Sequence, residues 1–360
     1  MNNILLSIIA FFFLIGAIDY IEGDKLKLST YFQDGIQAMG SLAISMVGIL
    51  SLTPFLTQVL TKFLIPIAQK LYLDASIFPA SLIAIDMGGF NLSSELALSN
   101  SMGNFSGILM SSILGCTISF TLPLAVGLVR EELMEIVFKG ILCGIITMPV
   151  GLFVGGIMLK VQVYTLIYNL LPVILLSIIL TLGIIFRPRK LIIIFKYLGK
   201  MIMFISIIGL IIQGVYSISG IKLLNNIMPI EEVITIVGRI ALFLGGAYVM
   251  LEVIKRSLSK PLNRISKLFN INLNSIAAII GSLASAIVIF SNFDKLDDRG
   301  KVICTAFSVG GAYVFGGQMG YVSSVAPKVL SIYIFIKLLC GILAVLFALI
   351  YLKYEQKYKK

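Results

Sequence analysis

Long apolar runs separated by short polar loops dominate the chain. Runs such as Asn3–Ile21 and Tyr164–Phe186 hold about 20 residues, enough for a helix to cross a hydrocarbon core of roughly 30 Å. The hydropathy pattern predicts spans at 3–21, 34–58, 103–128, 134–159, 164–187, 191–218, 230–254, 300–322 and 328–352. Two further apolar segments, 76–90 and 274–291, are shorter, and each follows a stretch with a few basic residues, Thr61–Leu73 and Ser259–Asn270. The expected fold is an all-α polytopic membrane protein, one transmembrane domain over 1–360. It would have about 9–11 transmembrane helices, with two segments re-entrant or broken.

The two short segments have similar surroundings. Leu60-Thr61-Lys62-Phe63-Leu64-Ile65-Pro66-Ile67 parallels Leu258-Ser259-Lys260-Pro261-Leu262-Asn263-Arg264-Ile265. Each is followed by an amphipathic stretch, a short apolar segment, a polar break and a Gly-rich span. This order suggests an internal duplication, with 34–128 as first repeat, 129–229 as connecting helices, 230–325 as second repeat and 326–360 as last helix and basic tail. Chance likeness between apolar segments is the alternative. Matching interrupted segments in two halves of a secondary transporter point to its substrate site.

Composition settles the class. The 360 residues are 59% hydrophobic and only 12% charged, with a mean hydropathy of +1.05. A soluble domain is about half apolar and roughly a quarter charged. The first apolar run lacks a basic leader and a small-residue cleavage site, and reads as a mature helix rather than a signal peptide. Cys116, Cys143, Cys304 and Cys340 sit singly inside apolar runs, so neither a disulfide framework nor a zinc site is indicated.

The net charge of +11 reads as basic residues on cytoplasmic loops rather than as a nucleic-acid surface, for no basic module with interleaved aromatics exists. Were 274–291 a full span, Lys255, Arg256, Lys260, Arg264 and Lys267 would lie opposite Lys295, Arg299 and Lys301. Re-entrant short segments remove that conflict. They gather both clusters inside with Lys25, Lys27, Arg187, Arg189, Lys190, Lys353, Lys357, Lys359 and Lys360. Lys62, Lys70, Lys160, Lys222 and Lys328 remain outside. Five crossings then separate the starts of the two repeats, so the repeats are expected to be inverted.

Ionisable residues inside membrane segments are costly and are functional candidates by default. Asp86 ends an apolar run and is followed by Met87, Gly88, Gly89, Phe90 and Asn91. Glycine loosens a helix and lets a ligand reach the backbone, and unwound backbone is tolerated at depth only where it lines a cavity. A carboxylate there suits an ammonium or sodium ion; the alternative is an aspartate capping a helix at Asn91–Leu98. Glu95 either assists a cation or is solvated. Asp19 and Glu252 fall near span ends. Arg239 and Lys337 lie deeper, and either pair with a buried carboxylate or snorkel to the interface.

Phe90, Tyr248, Phe290, Tyr313 and Tyr321 can wall an ammonium pocket or serve as packing. Gly103, Gly107, Ser111 and Gly115 recur every four positions and signal close helix packing, as do Gly140 with Gly144 and Gly151 with Gly155. Gly310-Gly311 and Gly316-Gly317 with Gly320 permit packing or a broken helix. Enzyme chemistry has little to stand on. There is no histidine, no GxSxG elbow and no Walker A sequence, and no cofactor is expected.

Several of these pieces resemble the ethanolamine utilization permease family, EutH, over nearly the full length. The most specific are Asp86-Met87-Gly88-Gly89-Phe90 with Glu95-Leu96-Ala97, and Asp298-Arg299-Gly300-Lys301-Val302-Ile303 with Cys304, Ala306 and Phe307 after it. Ala38-Met39-Gly40, Met46-Val47-Gly48 and Leu244-Gly245-Gly246-Ala247-Tyr248 agree as well. The resemblance implies a multi-pass permease that takes up ethanolamine across the bacterial cytoplasmic membrane by alternating access, with the bilayer and a small amine as partners and homo-oligomers left open. Asp86 would then meet the ammonium, an aromatic wall would face the cation, and Asn91, Ser93 or loosened backbone would take the hydroxyl. The expected substrate-binding set is Asp86, Met87, Gly88, Gly89, Phe90, Asn91, Ser93, Glu95, Tyr248, Ser285, Phe290 and Gln318, with no metal.

Departures fall in the second half. The family pattern has Asn-Asn-Ile-Pro where this chain has Ser285-Ala286-Ile287-Val288, Asp-His at Gly317-Gln318, and proline at Val249. They leave open another small amine, alcohol or nucleoside-like solute, or altered coupling. A non-transporting membrane sensor or scaffold is the competing class.

Overall fold

The computed structural model describes residues 2–257, 264 and 266–358, and all regular structure among them is helical. In chain order the helices are α1 (Asn2–Ile21), α2 (Ser29–Lys70), α3 (Ile77–Leu82), α4 (Gly89–Leu96), α5 (Asn100–Leu128), α6 (Met134–Met158) and α7 (Val163–Phe186). There follow α8 (Pro188–Ser219), α9 (Ile230–Ser257), α10 (Leu273–Ser282), α11 (Ile287–Ser291), α12 (Asp298–Gly310), α13 (Gly317–Val325) and α14 (Leu330–Tyr358). Among the described residues, seven stretches are long and apolar enough to cross a membrane, lying in α2, α5, α6, α7, α8, α9 and Pro327–Glu355.

Burial sorts these spans. α5 is enclosed by protein along 83% of its apolar window, against 33% for α7 and 22% for the membrane-length part of α8. Thus α5 is the central post, while α7 and α8 turn most of their apolar surface outward, as lipid-facing helices do. α9 packs along α2 and α1, and α6, α12 and α14 form a second group. α2 runs 42 residues, well beyond a bilayer's need. Pro54 interrupts its ladder, and the nearby Ser51 carbonyl accepts the Met228 N–H from the loop before α9 at 2.9 Å.

Both short apolar segments double back. α3 and α4 form one hairpin, and its two ends meet where Leu98 N–H donates to Asp74 Oδ2 at 3.0 Å. α10 and α11 form another, closed where Asn272 Nδ2 donates to the Lys295 carbonyl at 2.9 Å and Asn272 N–H to Asp297 Oδ1 at 2.8 Å. The hairpins open toward opposite ends. Asp74 N–H is held by Asn169 Oδ1 (2.7 Å) near the start of α7, whereas Asp294 beside Lys295 pairs with Arg130 (2.7 Å) just before α6. The second-half partner of the sequence parallel, Leu258–Asn263 with Ile265, lies outside the described residues, as do Lys359 and Lys360.

The expected continuous span at 300–322 is replaced by a break. α12 stops at Gly310, α13 starts at Gly317, and the turn between them pairs with the tip of the second hairpin. Tyr313 N–H donates to Ser282 O (2.9 Å) and Phe315 N–H to Leu283 O (2.8 Å). Two interrupted helices thus satisfy each other's backbone, which an apolar interior requires.

Candidate functional site

The site grows from the break in the first hairpin. α3 ends at Leu82, Ile83 and Ala84 are extended, Ile85–Met87 form a 3₁₀ turn, and Gly88 stands at φ +93° before α4 begins. A Cβ disfavours that left-handed conformation, so glycine is needed here. The freed backbone is taken up by α5. Ser111 Oγ donates to Ile83 O at 2.9 Å, and Ala84 N–H donates to Ser119 Oγ at 3.0 Å. The stripe of small residues on α5 lets the hairpin lie this close: a Cβ at Gly115 would stand 2.3 Å from Ile83 O and 2.5 Å from Ala80 O.

Asp86 lies on this break, and α13, which carries Gln318 and Tyr321, packs against its Ile85–Met87 turn. The Tyr321 hydroxyl donates to Asn91 Oδ1, and its ring stands edge-on to Phe90 at 6.1 Å. Lys337, 1% exposed, donates to Ser112 O and Gln318 Oε1, each at 2.8 Å, and lies 5.8 Å over the Tyr333 ring. It therefore neither snorkels nor pairs directly with a carboxylate. Arg239, by contrast, is exposed on α9.

Tyr313 holds the site together from the second half. Its φ of +63° is an uncommon conformation for an aromatic residue. Both its backbone groups are occupied, the N–H by Ser282 O and the carbonyl by the Tyr333 hydroxyl at 3.2 Å. The buried Tyr313 hydroxyl has no hydrogen-bond partner. Backbone in this region persists only where its surroundings over-determine it, as the two bonds to Ser282 and Tyr333 do here.

The structure brings together Asp86, Met87, Gly88, Gly89, Phe90, Asn91 and Gln318. Tyr248 and Ser285 lie elsewhere, in a cavity of about 490 Å³ between α9 and the second hairpin, with Tyr31, Glu252, Asn274 and Lys295 also on its wall. That cavity reaches Ala284, whose carbonyl would be 2.0 Å from a Cβ at Gly316, so it ends beside the Tyr313 turn. Phe290 is buried against Phe293 at 6.2 Å, Glu95 is exposed near the hairpin base, and Ser93 is buried with an unpartnered hydroxyl. The expected set omits Tyr313, Tyr321, Tyr333 and Lys337 from the surroundings of this break. Tyr313 and Tyr321 were named as possible wall residues, and a lysine nine residues into the expected span 328–352 was the signal for Lys337, whereas Tyr333 offered none. Among the described residues no three His, Cys, Asp or Glu side chains converge as a metal site would need.

A family model described as "Ethanolamine utilisation protein, EutH" matches residues 1–351. The chain belongs to the EutH family. A relative from Listeria monocytogenes named "Probable ethanolamine permease EutH" is 38% identical over 344 residues, covering 96% of this chain and 92% of its own. The Salmonella typhimurium protein of the same name is 32% identical over 382 residues, covering 96% and 94%. Bacillus subtilis "Uncharacterized protein YxeR" is 35% identical over 343 residues, covering 95% and 93%. No solved structure matches the chain. Family membership and the seven membrane-length helices make this a multi-pass protein of the cell membrane and support a permease role.

Proposed function

We propose that this EutH-family chain is a permease that carries ethanolamine across the bacterial cytoplasmic membrane by alternating access. The observation that carries the reading is Asp86, set on broken backbone against the helix that carries Gln318 and Tyr321. A carboxylate supplies the charge an alkylammonium needs, and ring faces attract the same cation. Ethanolamine adds one hydroxyl, for which the Tyr313 hydroxyl and the Asn91–Tyr321 pair offer partners. The names of the Listeria and Salmonella relatives support the same substrate.

The two hairpins, opening at opposite ends, supply the two-sided access this mechanism needs, and we read them as the tips of inverted repeats. The cavity at Tyr248 and Ser285 lies at the end carrying Lys25, Lys27, Arg256 and Lys295, which the positive-inside tendency makes cytoplasmic. It would then be the inner vestibule.

Counterflow of labelled ethanolamine in proteoliposomes tests the reading. Asp86→Asn should lower exchange by about 30-fold or more, because removing one partner of a desolvated charge pair costs roughly 2–5 kcal/mol. Undiminished exchange in that variant would remove Asp86 from the central role. A thermal-shift panel of small amines, alcohols and nucleosides separates ethanolamine from other solutes, and a sensor or scaffold would show no flux at all.

A further inference from the structure

Lys337 is the charged group that the substrate reading leaves unused. A lysine buried in a membrane bundle is costly unless its N–H groups and its charge are met. Here they are met by neutral partners: Ser112 O, Gln318 Oε1 and the face of Tyr333. Among the described residues Lys337 forms no salt bridge within 4 Å. Both anchors stand beside the Asp86 turn: Ser111, next to Ser112, holds Ile83 O, and Gln318 sits on α13, which packs against Ile85–Met87. The ammonium is thus fastened by partners other than Asp86, next to the segment that carries it.

We infer that Lys337 is a resident ammonium that balances Asp86 in the unloaded carrier, so that the empty site returns across the membrane uncharged and the loaded site carries one positive charge. This rests on the reading of Asp86 as counter-ion to the substrate ammonium. A site holding Asp86 alone would be anionic when empty, and moving an uncompensated charge through a low-dielectric interior is strongly opposed. With Lys337 present that penalty falls away from the return step. The substrate's own charge then couples uptake to an interior-negative potential, with no proton or sodium ion required.

The two halves of the cycle can be measured separately. Net uptake into empty proteoliposomes needs the empty carrier to return, whereas counterflow exchange against internal unlabelled ethanolamine uses only the loaded form. For the wild type, a tenfold outward potassium gradient with valinomycin should drive about tenfold accumulation, the distribution of a monovalent cation at that potential. Lys337→Met should lose net uptake by at least about tenfold more than it loses exchange. Should that variant fail to fold, Lys337→Gln keeps an amide donor for Ser112 O and Gln318 Oε1 without the charge, and carries the same expectation. The inference is overturned if net uptake and exchange fall together in a folded variant, if net uptake is unchanged, or if wild-type uptake follows a pH gradient and ignores potential. Absence of exchange in the wild type would instead sink the ethanolamine reading, and this inference with it.

Discussion

Gly115→Ala isolates the contact between α5 and the Asp86 hairpin. The new Cβ would sit 2.3 Å from Ile83 O and 2.5 Å from Ala80 O, where real Cβ contacts essentially never fall below 3.0 Å. Both neighbours are backbone, and Ile83 O is itself fixed by Ser111 Oγ. The hairpin must therefore shift by about half an ångström or more, at an overpacking cost of roughly 1–3 kcal/mol. The displaced segment lies three residues from Asp86, and misplacing a binding group by about 1 Å can cost about 100-fold in rate. Gly103→Ala is the matched control on the same stripe. Its Cβ would meet Ala97 Cβ and Ser94 Cα at 3.4 Å, an ordinary contact, and alanine is the better helix former by up to about 1 kcal/mol. Thermal unfolding in detergent and ethanolamine counterflow should show Gly115→Ala impaired in both and Gly103→Ala unimpaired. Equal behaviour of the two variants would refute the reasoning.

Two other substitutions separate stability from binding. Tyr313→Phe removes a buried hydroxyl that has no partner, so thermal stability should hold or rise while ethanolamine affinity falls; unchanged affinity in a binding titration would take that hydroxyl out of the site. Asp74→Ala frees the Leu98 and Ser76 N–H groups that its carboxylate accepts, each at 3.0 Å, and should destabilise by about 1–3 kcal/mol; a wild-type denaturation midpoint would show that the hairpin base needs no such tie.

The spans were legible because a bilayer asks little more than apolar length, and the Asp86 break was legible because a charge followed by two glycines cannot continue a buried helix cheaply. The second break was legible only as an alternative, since the glycines at 310–311, 316–317 and 320 allow close packing as well as a broken helix. Residues 300–322 average to an apolar run, and the interruption depends on Ser282 O and Leu283 O, carbonyls some 30 positions earlier. Tyr313 carries no local hint of its left-handed backbone, since aromatic residues seldom adopt it.

The aromatic wall shows the same limit. Tyr248 and Phe290 are the same kinds of residue as Tyr321 and Tyr333, and only packing decides which of them meet Asp86. For Lys337 the sequence allowed pairing or snorkelling. The choice was made by Ser112 O, 225 positions away in the chain.

The seam between Tyr313–Phe315 and Ser282–Leu283 has no half-open position. Its two hydrogen bonds lie on alternate residues of one short turn, so a hinge movement there breaks both at once. Amide groups released into a dry interior cost a few kcal/mol each until something else bonds them. The cavity lined by Tyr248 reaches Ala284 and Ser285, beside that spot. Under the proposed alternating access, opening the joint would be a wetting event as much as a mechanical one, with discrete stops rather than a sliding gate.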